Sequence, residues 1–308
     1  MSIGIHISKV SHVLLNPHKN RKDMLSAIKK DCSKLKLGSC QIFVQGPRNS
    51  KMSNIDYTSI KLYCIETNIH LYVHSSYISV GILSVTKKNK NDAKSIYFID
   101  IIVQQMKACD ELDAKGFVLH LSKRTSKQIV ESLTILYEYI YLFKTPILLE
   151  QPAKKADTNT TYETPEQINV LSELILTSIP ALNWGWCIDT AHLYSAGIEV
   201  DVYNIMKKWF KSLKYPTYIK LFHLNGMGID LFDTGKDSHE VIFGPDDDIW
   251  NCYLNMDDGF DISSIKKTSI WVICQFAKKN RIDLICEINR GKFKDVQFAI
   301  ETLKYIMK

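Results

Sequence analysis

Short apolar or β-branched runs recur along the whole chain, and longer amphipathic stretches lie between them. The apolar runs occupy eight segments: 3–7, 41–45, 71–74, 116–120, 147–150, 185–189, 218–223 and 284–288. Helical spacing of apolar residues marks the intervening stretches, for example 21–37, 91–113, 126–143, 164–178, 199–213, 263–279 and 292–307. The fourth of these carries helix-start signals, with Thr164 as an N-cap and Pro165 at the first helical position.

This alternation of strands and helices predicts an α/β fold, a (β/α)8 TIM barrel. The runs are continuously apolar rather than alternating, which suits parallel strands covered on both sides. No Pro/Gly/Ser-rich linker divides the chain, so we expect one domain over residues 1–308. A doubly wound open sheet is the alternative, because the pattern does not establish closure.

The composition points to a protein of a reducing, intracellular compartment such as the cytoplasm or nucleus. None of the eight cysteines forms a CxxC pair, and several lie inside apolar runs, which favours buried free thiols. Cys32 and Cys40 are close enough in sequence to bridge, but a disulfide is the less favoured interpretation. The chain contains no window of about 18 uncharged apolar residues, so we expect no membrane span. A net charge of +6 fits a polyanionic partner without identifying one.

Side chains that can bind a metal stand at or next to the ends of six apolar runs. They are His74, His120, Glu150, Asp189, His223 and Glu287, with His192 three residues beyond Asp189. In a barrel the carboxyl ends of all strands open onto the face that carries active sites, so these side chains would converge. Any single one of them is more often a loop or cap residue, but six together favour a site. Histidine and carboxylate ligands suit zinc or manganese, whose charge would offset the crowded carboxylates.

Two further candidates, Asp237 and His239, lie in the segment 235–248. Two positions apart, they can point the same way from an extended chain, although a D-x-H pair alone is common. We therefore expect five of the nine histidines at this face: His74, His120, His192, His223 and His239. His12, His18 and His70 are interpreted as surface or packing residues. His6 is left open, with a hydrogen-bonding role beside the site as one possibility.

The motifs that carry these residues resemble those of the endonuclease IV family of apurinic/apyrimidinic (AP) endonucleases. In chain order they are GIHIS, QIFVQGPR, VHSSYI, FVLHL, LLEQ, CIDTAH, FHLN, DSH and ICEI, and they span nearly the whole chain. The resemblance implies a barrel with three zinc ions at the carboxyl face, with manganese or iron as partial substitutes. It assigns the first zinc to His74, His120 and Glu150, the second to Glu150, Asp189, His223 and Glu287, and the third to His192, Asp237 and His239.

All nine of these ligand positions hold the residue type of the family, but neighbouring positions depart from it. Gly226 replaces the acidic residue of the family's HLND, and Ser238 replaces the arginine of its DRH. The family's glycine-containing loop after the bridging glutamate is QPAKKADTNTTYE here. None of these departures removes a ligand.

The resemblance also implies an activity and a partner. The expected reaction is hydrolysis of the DNA phosphodiester 5′ to an abasic site, which leaves a 3′-hydroxyl and a 5′-deoxyribose phosphate, together with trimming of blocked 3′ ends. Glu150 and Glu287 are the catalytic candidates. The expected partner is double-stranded DNA that contains abasic sites or blocked 3′ ends. We expect neither a membrane nor a protein partner.

Two loops are candidates for reading the DNA. Arg48 follows the second predicted strand and matches a family arginine that enters the duplex, while Tyr77 and Ile78 follow the third and match a wedge in the minor groove. Such a wedge would unstack bases and let the abasic sugar swing out. A salt-bridged loop arginine and a half-buried loop aromatic are the structural alternatives. Candidates for backbone contacts are Lys123, Arg124, Lys154 and Lys155.

Two other functions remain open at this point. A metal-dependent sugar isomerase shares the barrel and its ligand types, but it needs fewer metals and has no use for Asp237 and His239. A non-catalytic protein that binds damaged DNA is the second alternative, against which the complete ligand set argues.

Overall fold

The structure is a computed structural model that describes residues 1–7, 23–48, 51–153, 160–250, 265–288 and 293–308. Eight parallel strands form a closed barrel in which neighbours along the chain are neighbours in space and β1 pairs with β8. The strands are β1 (Ile3–His6), β2 (Ser39–Phe43), β3 (His70–His74), β4 (Gly116–His120), β5 (Ile147–Glu150), β6 (Trp184–Asp189), β7 (Ile219–His223) and β8 (Asp283–Cys286). The predicted (β/α)8 barrel is confirmed, and closure rules out the open sheet.

Helices cover the outside of the barrel. In the described residues they are α1 (Met24–Leu35), α2 (Tyr57–Glu66), α3 (Ala93–Leu112), α4 (Ser126–Ile140), α5 (Pro165–Ser178), α6 (Thr190–Ser195), α7 (Tyr203–Lys211), α8 (Ser269–Asn280) and α9 (Phe293–Ile306). Helix α5 starts as predicted: Thr164 caps it, Gln167 completes a capping box, and Pro165 opens the first turn.

Strand β2 begins two residues earlier than its apolar run. Backbone pairing sets its start, because Ser39 lies in register with Gly4 on β1 and with His70 on β3. Glycine is needed at position 4, where a Cβ would come within 2.2 Å of the Ser39 carbonyl oxygen. The backbone pairing of Ser39 with the two neighbouring strands, which the hydrophobic pattern does not reveal, therefore sets where β2 begins.

The carboxylate of Asp283 lies at the amino end of the barrel, opposite the face where the candidate ligands lie. Asp283 accepts hydrogen bonds from the Ser2 backbone and, at 2.9 Å, from the Tyr72 hydroxyl, and His70 Nδ1 lies 2.6 Å from it. His70 is thus a packing residue, as expected. No described helix is both long and apolar enough to span a bilayer.

The described cysteines are all free and buried: Cys32, Cys40, Cys64, Cys109, Cys187, Cys274 and Cys286. The bridge considered between Cys32 and Cys40 is therefore not formed. Cys252 lies outside the described residues.

Candidate metal centre

The two-residue period of the strands explains why the candidate ligands converge. Side chains from six strands fill the barrel interior in one cluster: Tyr72, Val118, Leu148, Cys187, Leu221 and Ile285. Each candidate ligand at a strand end lies two positions further along: His74, His120, Glu150, Asp189, His223 and Glu287. Since residues two apart in a strand point to the same side, all six ligands face the barrel axis just above this apolar layer. Strand register also sets His120 beside Glu150, and Asp189 beside His223.

The first group of potential ligands joins His74, His120 and Glu150. Glu150 Oε2 lies 3.1 Å from His120 Nε2 and 3.4 Å from His74 Nε2, and the two imidazole nitrogens are 3.1 Å apart. His74 Nδ1 donates to the Ser75 carbonyl at 2.7 Å, which leaves the lone pair of Nε2 facing the group. Three donor atoms therefore point to one small volume.

Glu150 also belongs to the second group, with Asp189, His223 and Glu287. Its other oxygen, Oε1, lies 2.8 Å from His223 Nδ1. The same nitrogen is 3.2 Å from Glu287 Oε2 and 3.7 Å from Asp189 Oδ2. Because the two oxygens of Glu150 face different groups, this carboxylate has the geometry to bridge two cations.

The third group contains His192 and His239 together with Asp189. Asp237 adjoins it, with Oδ2 3.1 Å from His239 Nε2 and 3.4 Å from His192 Nε2. Asp189 Oδ2 lies 3.8 Å and 4.0 Å from the same two nitrogens. The structure therefore brings the expected trio together and adds Asp189 as a side chain that stands between the second and third groups.

Asp189 is also the N-cap of α6. Its Oδ1 accepts hydrogen bonds from the backbone N–H of Ala191 at 2.6 Å and of His192 at 3.1 Å. Its other oxygen remains directed at the ligand groups. One buried carboxylate thus starts the helix that carries His192 and helps to form the site.

The carboxylates and imidazoles of these groups shift one another's pKa values. Burial disfavours the charged form of His192, but the carboxylates of Asp189, Asp237 and Glu150 outweigh burial and raise its pKa to about 10. His120 behaves differently, because burial outweighs the pull of Glu150 and lowers its pKa to about 3. A neutral imidazole at His120 suits a metal ligand, and the carboxylates elsewhere call for protons or cations.

Two atoms of the groups fit a bound cation in particular. Glu150 Oε2 and His239 Nε2 are buried, and neither makes a well-formed hydrogen bond to a described residue, although His120 Nε2 and Asp237 Oδ2 respectively lie 3.1 Å away. Poorly satisfied buried polar atoms are costly, and a cation would bind both. The Cys187 thiol also lies near Glu150 and His223, and burial raises its pKa. The other donors of the groups are imidazoles and carboxylates, a set that suits zinc.

Two side chains that the sequence did not single out hold the ligands in place. Asn225 Nδ2 donates to Asp189 Oδ2 at 2.9 Å, and its Oδ1 accepts from the Glu287 backbone at 2.7 Å. The Gln151 carbonyl accepts from His192 Nδ1 at 2.7 Å, and its side chain donates to the Asp189 carbonyl at 2.8 Å. Both follow a predicted ligand within one or two residues, in LLEQ and FHLN, and that position was the available signal.

Asp247 organises the loop that carries Asp237 and His239. Its carboxylate is buried and accepts from the backbone N–H groups of Phe243 at 2.7 Å and of Met227, Ile249 and Trp250 at 3.2 Å each. It packs against Gly226, the position at which the family has an acid. The chain therefore has no acid at position 226, but the buried carboxylate of Asp247 lies beside that position.

The candidate DNA-reading residues lie at the rim of the same face. Tyr77 is 52% exposed, and its ring centroid is 5.8 Å from that of His120. The Tyr77 N–H donates to the Pro47 carbonyl at 2.8 Å, which ties the loop after β3 to the loop of Arg48. Arg48 is exposed and Ile78 is half-buried. Tyr77 therefore adjoins the first ligand group, and its backbone bond to Pro47 places Arg48 in a neighbouring loop.

The remaining candidates are less informative. His6 stands at the end of β1, and its Nδ1 lies 3.7 Å from Glu287 Oε1. Arg124 accepts a hydrogen bond from the Tyr162 hydroxyl through its backbone carbonyl, in the loop after β4 that also holds Lys123. Four residues named from the sequence lie outside the described residues: His12, His18, Lys154 and Lys155.

Fold and site together define a class: a (β/α)8 barrel with clustered histidine and carboxylate side chains, which could hold a metal ion, at the carboxyl ends of its strands. No protein-family model matches the chain. A probable AP endonuclease of African swine fever virus is 28% identical over 284 residues, which cover 88% of this chain and 86% of the viral protein. A probable endonuclease 4 of Mycoplasma mobile is 26% identical over 250 residues, 76% of this chain and 83% of that protein.

Solved structures share the fold. The crystal structure of AsfvAP:AG has a TM-score of 0.79 at 26% identity and covers 100% of this chain and 99% of its own. Endonuclease IV of Thermus thermophilus has a TM-score of 0.68 at 14% identity, again over 100% and 99%. A D-tagatose 3-epimerase-like protein, at 0.61 and 15% over 100% and 97%, shares the fold. The relatives support the placement of this chain in an endonuclease IV-like family.

Proposed function

We propose that this protein is a zinc-dependent AP endonuclease. It hydrolyses the phosphodiester 5′ to an abasic site, leaves a 3′-hydroxyl and a 5′-deoxyribose phosphate, and trims blocked 3′ ends. The observation that carries the proposal is the sharing of one carboxylate: Glu150 turns one oxygen to each of two ligand groups. The names of the viral and mycoplasmal relatives support the same reaction.

The residues that would hold the ions follow from the three groups. His74, His120 and Glu150 would hold the first ion, and Glu150 would share the second with Asp189, His223 and Glu287. His192, Asp237 and His239 would hold the third, with Asp189 beside it. When bound, divalent cations in such a site supply a water-derived nucleophile at neutral pH and neutralise charge on a phosphodiester and its leaving oxygen.

The chain's own residues supply orientation and exclude water. Glu150 and Glu287 are the carboxylates we assign to catalysis, because both lie against His223 in the buried centre of the site. Asn225 and Gln151 fix the orientation of Asp189 and His192, so the ligands keep one geometry. A site held in this way keeps the attacking and leaving atoms aligned, which is a large part of the rate.

Zinc is the proposed metal, with manganese or iron as partial substitutes. The proposed donors are imidazole nitrogens and carboxylate oxygens. That mixture is typical of hydrolytic zinc sites.

The proposed substrate is double-stranded DNA with an abasic site. Arg48, Tyr77 and Ile78 form a rim beside the first ligand group, and their mixture of charge, aromatic surface and aliphatic surface suits insertion into a duplex. An abasic position lacks one base and is cheaper to open than intact DNA, so such a rim favours it.

Two alternatives remain to be separated from this proposal. The likeness to an epimerase-like protein extends to the fold, and a sugar isomerase or epimerase would use the first two ligand groups. The third group argues for the endonuclease, because an isomerase has no use for His239 and Asp237. A non-catalytic binder of damaged DNA would retain the rim without needing three groups of ligands.

A nicking assay decides between these functions. Purified protein with zinc is incubated with a duplex that contains one tetrahydrofuran or natural abasic site, and the ends of the products are analysed. We expect a single nick 5′ to the lesion with a 3′-hydroxyl, loss of activity with chelator, and recovery with zinc. Tight binding without a nick would favour the binder, and turnover of a ketose without nicking would favour the epimerase.

We also propose that the protein works in an intracellular, reducing compartment, which its buried free thiols suit.

A further inference from the structure

Gln41 on β2 is a fully buried glutamine in contact with the second ligand group, and it is neither a proposed ligand nor part of the rim. Its Nε2 donates to Glu287 Oε1 and lies 3.0 Å from His6 Nδ1. Its Oε1 lies 2.9 Å from His223 Nε2. One side-chain amide therefore joins two proposed ligands of the second cation to the histidine at the end of β1.

The orientation of this amide follows from the chemistry of its partners. An ionised carboxylate can only accept hydrogen bonds, so the NH₂ group of Gln41 must face Glu287. Its oxygen then faces His223, and the bond to His223 Nε2 requires that this nitrogen carry the proton. A neutral His223, the form that binds a metal, then has its lone pair on Nδ1, the atom that faces Glu150 and Glu287.

The same orientation fixes His6. The second N–H of Gln41 points to His6 Nδ1, which must accept it, so the proton of a neutral His6 lies on Nε2. That nitrogen is buried and makes no hydrogen bond to any described residue. Through one amide, the Glu287 carboxylate thus sets the tautomers of two histidines.

We propose that Gln41 is a positioning residue for the second cation: it selects the Nδ1-ligating tautomer of His223 and orients Glu287. The inference rests on the proposed metal centre. Gln41 touches no reacting atom, so its effect passes through the two ligands that it holds. Partners of this kind raise ligand basicity and fix ring orientation, and their loss commonly weakens metal affinity by roughly 10–100-fold.

The substitution Gln41→Met tests the proposal, because methionine is unbranched and of similar length but cannot replace the hydrogen bonds. Gln275→Met is the control. Gln275 is partly buried on α8, outside the barrel, and its Nε2 donates to the Ile306 carbonyl at the end of α9 at 3.4 Å. Zinc affinity is measured by competition with a chromogenic chelator, and cobalt(II) loading gives a visible spectrum that reports ligand geometry.

We expect Gln41→Met to weaken the binding of one cation by roughly 10–100-fold and to alter the cobalt spectrum. Gln275→Met is expected to change thermal stability at most, while zinc affinity and spectrum stay at the wild-type values. Equal effects of the two substitutions on zinc affinity, or an unchanged Gln41→Met protein, would overturn the proposal.

A second measurement determines the tautomer of His223 in the wild-type protein itself. Long-range ¹H–¹⁵N correlation of the histidine rings in the zinc-loaded wild type distinguishes the two tautomers. We expect His223 protonated on Nε2, with His223→Gln used only to assign its signal. A proton on Nδ1 would overturn the proposal even if Gln41→Met failed to fold. Absence of nicking by a zinc-loaded wild type would reject the AP endonuclease and leave both of these tests intact.

Discussion

The carboxylate of Asp247 stands where a side chain at position 226 would have to go. A Cβ on Gly226 would lie 2.7 Å from Asp247 Cγ and 2.9 Å from Asp247 Cβ. The two positions are therefore exclusive: a residue with a side chain at 226 and the present placement of Asp247 cannot both exist without a shift. Asp247 also holds the loop of Asp237 and His239. A side chain at position 226 that displaced Asp247 would therefore disturb the third ligand group.

Restoring the family's acid by Gly226→Asp should therefore destabilise the protein rather than improve it. Overpacking of a filled site typically costs about 1–3 kcal/mol, and the change also sets two carboxylates together. Adding Asp247→Gly should relieve much of that loss, because it vacates the space. Urea unfolding of the wild type, both single variants and the double variant measures the coupling. Additive effects of the two changes would contradict the exclusion.

The pH dependence of stability should contain a contribution from Asp247. Burial raises its pKa to about 7, against the opposing effect of the backbone N–H groups. The folded state then retains this proton up to about pH 7, whereas an unfolded aspartate loses it near pH 4. The contribution of this carboxyl group to the free energy of unfolding is greatest below about pH 4 and falls as the pH rises to 7.

Asp247→Asn removes this titration and supplies the comparison. We expect the wild type to lose stability relative to Asp247→Asn between pH 5 and pH 8, as measured by urea unfolding at both values. Other titrating groups affect both proteins alike and cancel in the difference. A difference in stability that stays constant over this range would contradict the raised pKa.

Metal content should be close to three zinc ions per chain, because three groups of ligands lie at the carboxyl face. His239→Ala removes a ligand of the third group alone and should reduce the content to about two. His70→Ala is the control, since this histidine lies at the opposite end of the barrel against Asp283. Elemental analysis of protein purified without chelator gives the numbers. One equivalent or none in the wild type would exclude the three-ion site.

Glu287→Gln should separate DNA binding from cleavage. Its carboxylate lies 3.2 Å from His223 Nδ1 in the second group, and glutamine keeps its size while removing the charge. We expect the fold and most of the affinity for abasic DNA to be retained, and cleavage to fall by several orders of magnitude, because the metal site is no longer held correctly. Nicking within a few-fold of the wild type would show that Glu287 is not a catalytic ligand.

Tyr77→Ala tests the proposed wedge. Loss of a stacking contact should weaken binding to an abasic duplex by about 1–3 kcal/mol, with less effect on intact DNA. Zinc content should not change, because Tyr77 is not a ligand. Tyr139→Ala is the matched control: Tyr139 is 46% exposed on α4, outside the barrel. Equal weakening on abasic and intact duplexes, or on neither, would reject the wedge.

Much of the barrel could be predicted because each strand has a local signal. Buried parallel strands are apolar on both sides, so runs such as 116–120 and 147–150 coincide with β4 and β5. The candidate ligands at the strand ends were predictable because a polar residue at the end of an apolar run is easily recognised. His74 and Glu150 stand out against the apolar residues that precede them.

Gln41 and Asp247 could not be predicted, because their importance comes from tertiary contacts. A glutamine inside a strand and an aspartate in a run of three have no pattern that separates them from surface residues. Only the closed barrel brings Gln41 against Glu287 and His223, and only the folded loop buries Asp247 beside Gly226. The double use of Asp189, as helix cap and as a bridge between ligand groups, likewise required coordinates.

The hydrogen bond from the Tyr77 N–H to the Pro47 carbonyl gives the rim a mechanical property. It joins the chain beside Arg48 to the chain that carries Ile78, so the two loops resist independent movement. If both contact the duplex as proposed, they arrive as a preorganised pair, and ordering one loop largely orders the other. Preorganisation of this kind lowers the entropic cost of association. Weakening this link should therefore shorten the lifetime of the complex with damaged DNA even when every contacting side chain is intact.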